Sequence, residues 1–345
     1  MLRPLSTPPP GVAALAIALL AAACGGRGAP EIDILGAAVE LPQTFLGVDC
    51  VVELPNGRVL VLDTKARSVQ VADFAAKTLA MVGRPGRGPG EYAQPDWLIP
   101  IPNGGDTTLI DDAGNARYAV AVDDRLTTAT FPRDPHLTAI RAVDRRGRAY
   151  LQPELNTGDS APVMRLDRAD HEVDTAAFIS TGRVTRPRPH RFVWVKLPPY
   201  PKNDAWGVLS DGTVMIARIG DYHVEAVPPH GKRRTGAPVP FERIRNEWGD
   251  SEPPFVSSPT PADRVSPDGF FWVERTTPEH EKPERFDVFD ADGRLVREVS
   301  LPLGARLVGL GRGVVYVTTT DAAGAVHLDR APLVPGTPAE DKGAR

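Results

Sequence analysis

The side chains able to do chemistry are thinly spread along this 345-residue chain. Its seven histidines, His136, His171, His190, His223, His230, His280 and His327, fall far apart. No H-E-x-x-H, C-x-x-C or EF-hand loop occurs, and no serine sits in G-x-S-x-G. The short signatures of zinc proteases, dithiol centres, calcium loops and nucleophile elbows are therefore missing. Turn aspartates accept hydrogen bonds from their own backbone, and that is the role expected of the acidic pairs Asp111-Asp112 and Asp123-Asp124. The run Gly86-Arg-Gly-Pro-Gly-Glu has glycines spaced as in a phosphate cradle. It lacks a Gly-Lys-Ser/Thr ending and no helical pattern follows, so it is expected to carry the chain from one structural unit to the next.

Two stretches combine charge with aromatic rings. Residues 181–203 carry Arg183, Arg186, Arg188, His190, Arg191, Lys196 and Lys202 with no acid, beside Phe192, Trp194 and Tyr200. Residues 240–262 set Glu242, Glu247, Asp250 and Glu252 against Arg243 and Arg245, beside Trp248 and Phe255. Guanidinium groups clamp carboxylates or phosphates with paired hydrogen bonds, and indoles stack on sugars or other rings. Arg188, Arg191, Trp194 and Trp248 are thus the expected ligand-binding residues, for an anionic or carbohydrate-like ligand or an envelope protein. The competing reading has the rings pinning the two loops and the opposite charges screening each other.

The N-terminus bears on location. Residues 11–23 form an apolar run of 13, too short for a spanning helix and of the length of a signal-peptide core. The run ends Ala21-Ala22-Ala23-Cys24, which resembles the bacterial lipoprotein cleavage box, with Ala21 where Leu is preferred. The resemblance implies lipidation at Cys24, a flexible tether over residues 24–30, and an envelope location, at the outer membrane by the lack of an Asp-type retention signal after the cysteine; the competing reading is ordinary secretory cleavage after an Ala-x-Ala. Cys50 is the only other cysteine, so a lipidated Cys24 leaves no disulfide framework. Its strand-like surroundings point to a buried, inert thiol. A net charge of −4 with both signs interspersed gives no nucleic-acid footprint. A monomer is expected, with no cofactor.

The elements that position these residues are strands. With 36 Pro, 32 Gly and no convincing long amphipathic pattern, the composition suggests an all-β sandwich, barrel or propeller. Six X-Gly pairs each precede an apolar strand: Asn56-Gly57, Asn103-Gly104, Arg146-Gly147, Asp211-Gly212, Asp268-Gly269 and Arg312-Gly313. Their glycines lie 47, 43, 65, 57 and 44 residues apart. One hairpin landmark per forty-odd residues is a propeller signature, with the longer intervals holding loop insertions. Six landmarks predict six four-stranded blades. The last blade shows strands at 306–310, 314–320 and 326–330 and then turns to Pro, Gly and charge. Residues 31–41 have no blade of their own, so they are expected to close the last one.

Residues 58–95 carry a family resemblance. Ser68-Val-Gln-Val-Ala-Asp and Gly83-Arg-Pro-Gly-Arg-Gly-Pro-Gly-Glu-Tyr resemble the strand and connector of an NHL-type repeat. The chain from Cys24 on is similar to six-bladed β-propeller lipoproteins of bacterial envelopes. That resemblance implies a signal peptide over 1–23, a propeller over 31–332 and a disordered tail over 333–345. It implies a non-enzymatic binding scaffold; the alternative is a lactonase- or esterase-like hydrolase holding a divalent cation in the channel with residues scattered over several blades. In such a ring the connectors between blades share a face with the loops between second and third strands, so residues 83–92, 181–203 and 240–262 are expected to flank any ligand.

Overall fold

A computed structural model of the chain describes residues 31–102, 106–133, 139–152, 159–167, 172–181, 203–241, 244, 253–256, 264–277 and 283–335. They build the expected all-β, six-bladed propeller. Blade 1 is Val48–Glu53, Val59–Asp63, Ser68–Asp73 and Thr78–Met81. Blade 2 is Pro95–Pro100, Thr107–Asp112, Arg117–Val122 and Arg125–Pro132. Blade 3 is Ala142–Val143, Ala149–Leu151, Ser160–Leu166 and Val173–Ser180. Blade 4 is Ala205–Val208, Val214–Arg218, His223–Val227 and Arg234–Thr235. Blade 5 is Phe271–Glu274, Arg285–Phe289 and Leu295–Ser300, with its innermost pairing a bridge between Val265 and Phe271. Blade 6 is Arg306–Leu310, Val314–Thr320 and Val326–Pro335. Neighbouring strands within a blade are antiparallel.

Alternation along each strand explains why this sequence stacks blades. In Val59–Asp63 the side chains of Val59 and Val61 enter the apolar cluster shared with blade 6, while Leu60 and Leu62 enter the one shared with blade 2. A strand covered on both faces needs an unbroken apolar run, and this one has it. Six such clusters fill the six gaps between adjacent blades. Each buried Val or Leu contributes about 1.5–3 kcal/mol relative to exposure. The core of the ring is therefore its interblade seams.

Tyrosines staple those seams. The Tyr118 hydroxyl on blade 2 accepts from the Ile140 N–H leading into blade 3, at 2.7 Å. Tyr150 of blade 3 donates to Asp144 at 3.0 Å and lies 3.3 Å from the Gly212 carbonyl of blade 4. Tyr222 of blade 4 donates to Asp287 of blade 5 at 2.5 Å, and Tyr316 of blade 6 donates to Glu53 of blade 1 at 3.0 Å. A buried phenol needs such a partner, so each ring adds apolar area and a fixed bond between blades.

Ring closure follows the expectation and goes further. Glu31–Leu35 pairs antiparallel with the last strand, Asp33 opposite Pro335 and Leu35 opposite Leu333. Val39–Glu40 continues that edge opposite Arg330 and Asp329. Residues 31–33 also run parallel to residues 297–299 of blade 5, so the N-terminal strand joins blades 5 and 6 into one sheet. Residues 333–335, which the sequence assigned to a tail, are strand here, because the N-terminal segment supplies partners for their backbone; residues 336–345 lie outside the described residues.

The acidic pairs correct a second expectation. Asp112 accepts from the N–H groups of Ala93 and Gln94 in the incoming connector, and Asp111 faces Arg133. Asp123 and Asp124 hold Arg58 of blade 1 at 2.7 Å each. These four carboxylates tie separate segments together; self-capping is the work of others, such as Asp73, Asp144, Asp290 and Asp321. The Gly-rich run is a connector, as expected. Its Arg84–Pro85 and Glu91–Tyr92 segments pair, the Gly88 N–H donates to Glu91, and Arg117 donates to the carbonyls of Arg87, Gly88 and Glu91. With its own carboxylate on the Gly88 amide, the loop is filled by itself and cradles no phosphate.

Candidate functional site: the turn end of the central channel

Because strands alternate in direction, the ring has two distinct ends. The hairpins between first and second strands, and between third and fourth, share one end, here the turn face. The interblade connectors and the loops between second and third strands share the other. The innermost strands run from the connector face to the turn face, and they line the channel.

At the turn end lies a cavity of about 380 Å³. All six blades reach it: Val52, Glu53, Leu54 and Pro55 from blade 1; Ile99 to Pro102 and Asp106 to Thr108 from blade 2; Ala142 and Val143; Val208 and Ser210; Val265 to Pro267 and Gly269; and Arg312 from blade 6. The strand residues Val52, Leu54, Ile99 and Val208 are buried, whereas the turn residues Pro55, Pro102, Ser210 and Arg312 are exposed, so the mouth opens on the turn face. A second void of about 70 Å³, lined by Cys50, Leu98 and Gly309 among others, sits further along the channel.

Local chemistry explains the lining. The innermost strand of a blade is an edge, with N–H groups lacking a sheet partner on one side. Pro100, Pro102 and Pro267 have no N–H to leave unsatisfied there, so they suit a cavity wall. Gly309 lets blade 6 approach blade 1: a Cβ there would stand 2.5 Å from the Val51 carbonyl oxygen. Gly212 tops the buried Asp144, Arg148 and Tyr150 group at φ +92°, where a Cβ would meet all three side chains within 2.8 Å.

The polar groups are few. Glu53 accepts from the Tyr316 hydroxyl and from the Arg312 N–H, both at 3.0 Å. Burial, reinforced by the Glu53 charge, pushes the Tyr316 phenol well up, so it stays protonated as a donor. The Ser266 hydroxyl accepts from the Phe270 N–H at 3.2 Å. Asp106 and Arg312 stand at the rim. This arrangement offers an apolar floor and an opposite-charge rim: it can hold a small amphipathic molecule.

A channel cation is a poor fit to these residues. Both Glu53 oxygens already take protein donors, and among the described residues no three His, Cys, Asp or Glu side chains gather around one point. Cys50 is buried, as expected, with its sulfur 3.9 Å from the Leu98 carbonyl.

Arg188, Arg191, Trp194 and Trp248 lie outside the described residues. The cavity residues escaped notice because each is ordinary in its own segment. Their one sequence signal is position: they cluster at or beside the X-Gly hairpins.

The fold and cavity define the class: a six-bladed β-propeller with a channel pocket. No protein-family model matches the chain, and no curated protein matches it. Solved structures do. A protein from Bacteroides fragilis NCTC 9343 overlays with a TM-score of 0.54 at 13% identity, over 89% of this chain and 96% of that one. A member of the DUF4221 family from Bacteroides vulgatus overlays with a TM-score of 0.50 at 9% identity, over 89% and 99%. A gluconolactonase from Xanthomonas campestris gives 0.46 at 13% identity, over 88% and 98%. At these identities the likeness is one of fold.

Proposed function

We propose that the protein is a non-enzymatic binding propeller, held in the bacterial envelope by lipid on Cys24, whose ligand occupies the turn end of the channel. The observation that carries this reading is the cavity. Its volume of about 380 Å³ falls within the roughly 300–1,000 Å³ typical of small-molecule sites, and its walls are apolar with a few placed polar groups. The basic stretch 181–203, with Arg188, Arg191 and Trp194, and Trp248 in the next aromatic stretch of the sequence, remain the proposed contacts for an anionic glycan or envelope protein. Lipidation rests on Ala21-Ala22-Ala23-Cys24 alone.

The test is occupancy and turnover in the same preparation. Native mass spectrometry of the purified full chain is expected to show a co-purified small molecule that is lost in Ser210→Trp, which fills the mouth from an exposed turn. Metal analysis and assay on a panel of lactones and esters are expected to give neither stoichiometric metal nor turnover. Stoichiometric divalent metal with lactone hydrolysis would replace this reading with the hydrolase.

A further inference from the structure

The chain enters the ring on the same face as the cavity mouth. Residues 31–33 run parallel to residues 297–299, the fourth strand of blade 5, and antiparallel to the last strand of blade 6. A fourth strand runs from the turn face to the connector face. Glu31 therefore sits at the turn end of the blade 5–6 rim, and the chain then climbs to Phe45, which bridges Val326 before blade 1 begins. From Cys24 to Glu31 is seven residues, which reach no further than about 25 Å even fully extended.

The cavity's chemistry points the same way. Its floor of Val52, Leu54, Ile99 and Val208 is apolar, while its charged groups are the carboxylates of Glu53, held by Tyr316 and the Arg312 N–H, and Asp106, and the guanidinium of Arg312. An apolar floor suits an acyl chain, and a rim of both signs suits a zwitterionic headgroup, whose phosphate pairs with Arg312 and whose ammonium pairs with Asp106. We propose that the turn face lies against the membrane and that the cavity takes a zwitterionic single-chain amphiphile from the bilayer surface. This rests on the lipid-anchor reading above, since the anchored segment joins the ring on the mouth's own face.

The experiment uses the full lipidated chain in vesicles of phosphatidylethanolamine and phosphatidylglycerol containing a rhodamine-headgroup lipid. Flotation first establishes association. Single fluorophores are then placed by Asp268→Cys, on a turn-face hairpin, and by Leu303→Cys, on the blade 5–6 connector; both positions are exposed, and Cys50 is buried. Strands of about six residues make the disc roughly 20 Å thick, a separation that energy transfer resolves. Transfer from the Asp268→Cys label is expected to exceed that from Leu303→Cys. A photoactivatable lysophosphatidylethanolamine in the same vesicles is expected to cross-link to channel peptides of the wild type. That cross-linking should fall to background in Ser210→Trp and persist against excess glycerophosphoethanolamine, which has the headgroup without the chain. Equal or reversed transfer in floating protein overturns the orientation. Cross-linking unchanged by Ser210→Trp, or abolished by the free headgroup, overturns the amphiphile. Failure to float removes the anchor reading, and this inference with it, before either label is read.

Discussion

The imidazole Nδ1 of His327 lies 2.7 Å from a carboxylate oxygen of Glu40, joining the last blade to the N-terminal strand that closes the ring. Asp321, in the turn before the same strand, lies 3.3 Å from Nε2, and Asp329, directly across from Glu40 in the pairing, adds a further negative charge. The bonds to Glu40 first and Asp321 second raise the His327 pKa above its ordinary value. Protonated, the ring neutralises an otherwise acidic edge.

A pH dependence follows. A histidine whose folded pKa is raised contributes stability that is fully present below the unfolded value of about 6.5 and is lost as pH rises through the folded one. His327→Gln is therefore expected to lower the melting temperature at pH 5.5–6.5, with the deficit against wild type shrinking as pH climbs past the raised value. A deficit that stays constant to pH 9 would show that the ion pair contributes nothing. The site is solvent-exposed, so added salt should shrink the effect as well.

Removing residues 31–41 should cost far more than a frayed tail. The segment pairs with both blades 5 and 6, and its loss exposes the edges of two sheets. Each lost backbone bond is worth about 0.5–1.5 kcal/mol. The truncated ring is expected to melt several degrees lower and to aggregate through its open edges. An unchanged melt would mean that closure does not depend on this strand.

Tyr222 tests the staples. Its hydroxyl donates to Asp287, whose second oxygen takes Arg275 at 2.7 Å. Burial raises the Asp287 pKa despite Arg275, so the carboxylate depends on its donors to stay charged. Tyr222→Phe keeps the ring but removes one donor to a buried charged group, and should cost about 1.5–3 kcal/mol in urea unfolding at neutral pH. A loss below about 0.5 kcal/mol would indicate that Arg275 alone satisfies the carboxylate.

Cys24→Ser tests the anchor. Two acyl chains hold a protein stably on a bilayer, whereas one is marginal. The substituted protein is expected to leave the membrane fraction and to lose metabolic labelling with a fatty acid. Sedimentation with membranes at high salt despite the substitution would disprove lipidation at this position.

The architecture was legible because a propeller repeats local rules. X-Gly pairs must close hairpins, and a strand covered on both faces must be apolar along the covered stretch, as residues 59–62 are; both are visible in a linear chain. Closure by residues 31–41 was legible as a vacancy in the last blade, because backbone donors at an edge need partners. The length of the last strand was not, since Leu333, Val334 and Pro335 become strand only when residues 33–35 arrive beside them. The work of Asp111, Asp112, Asp123 and Asp124 was hidden likewise: a carboxylate in a turn looks self-capping until Arg58 and the residue 93–94 backbone are brought to it. The cavity belongs wholly to tertiary structure. Glu53 and Arg312 stand at opposite ends of the chain, and only ring closure sets blade 6 against blade 1 so that one residue's carboxylate receives the other's N–H. A pocket gathered from short stretches of six blades has no periodicity of its own, because its members are selected by distance from an axis that the sequence does not contain.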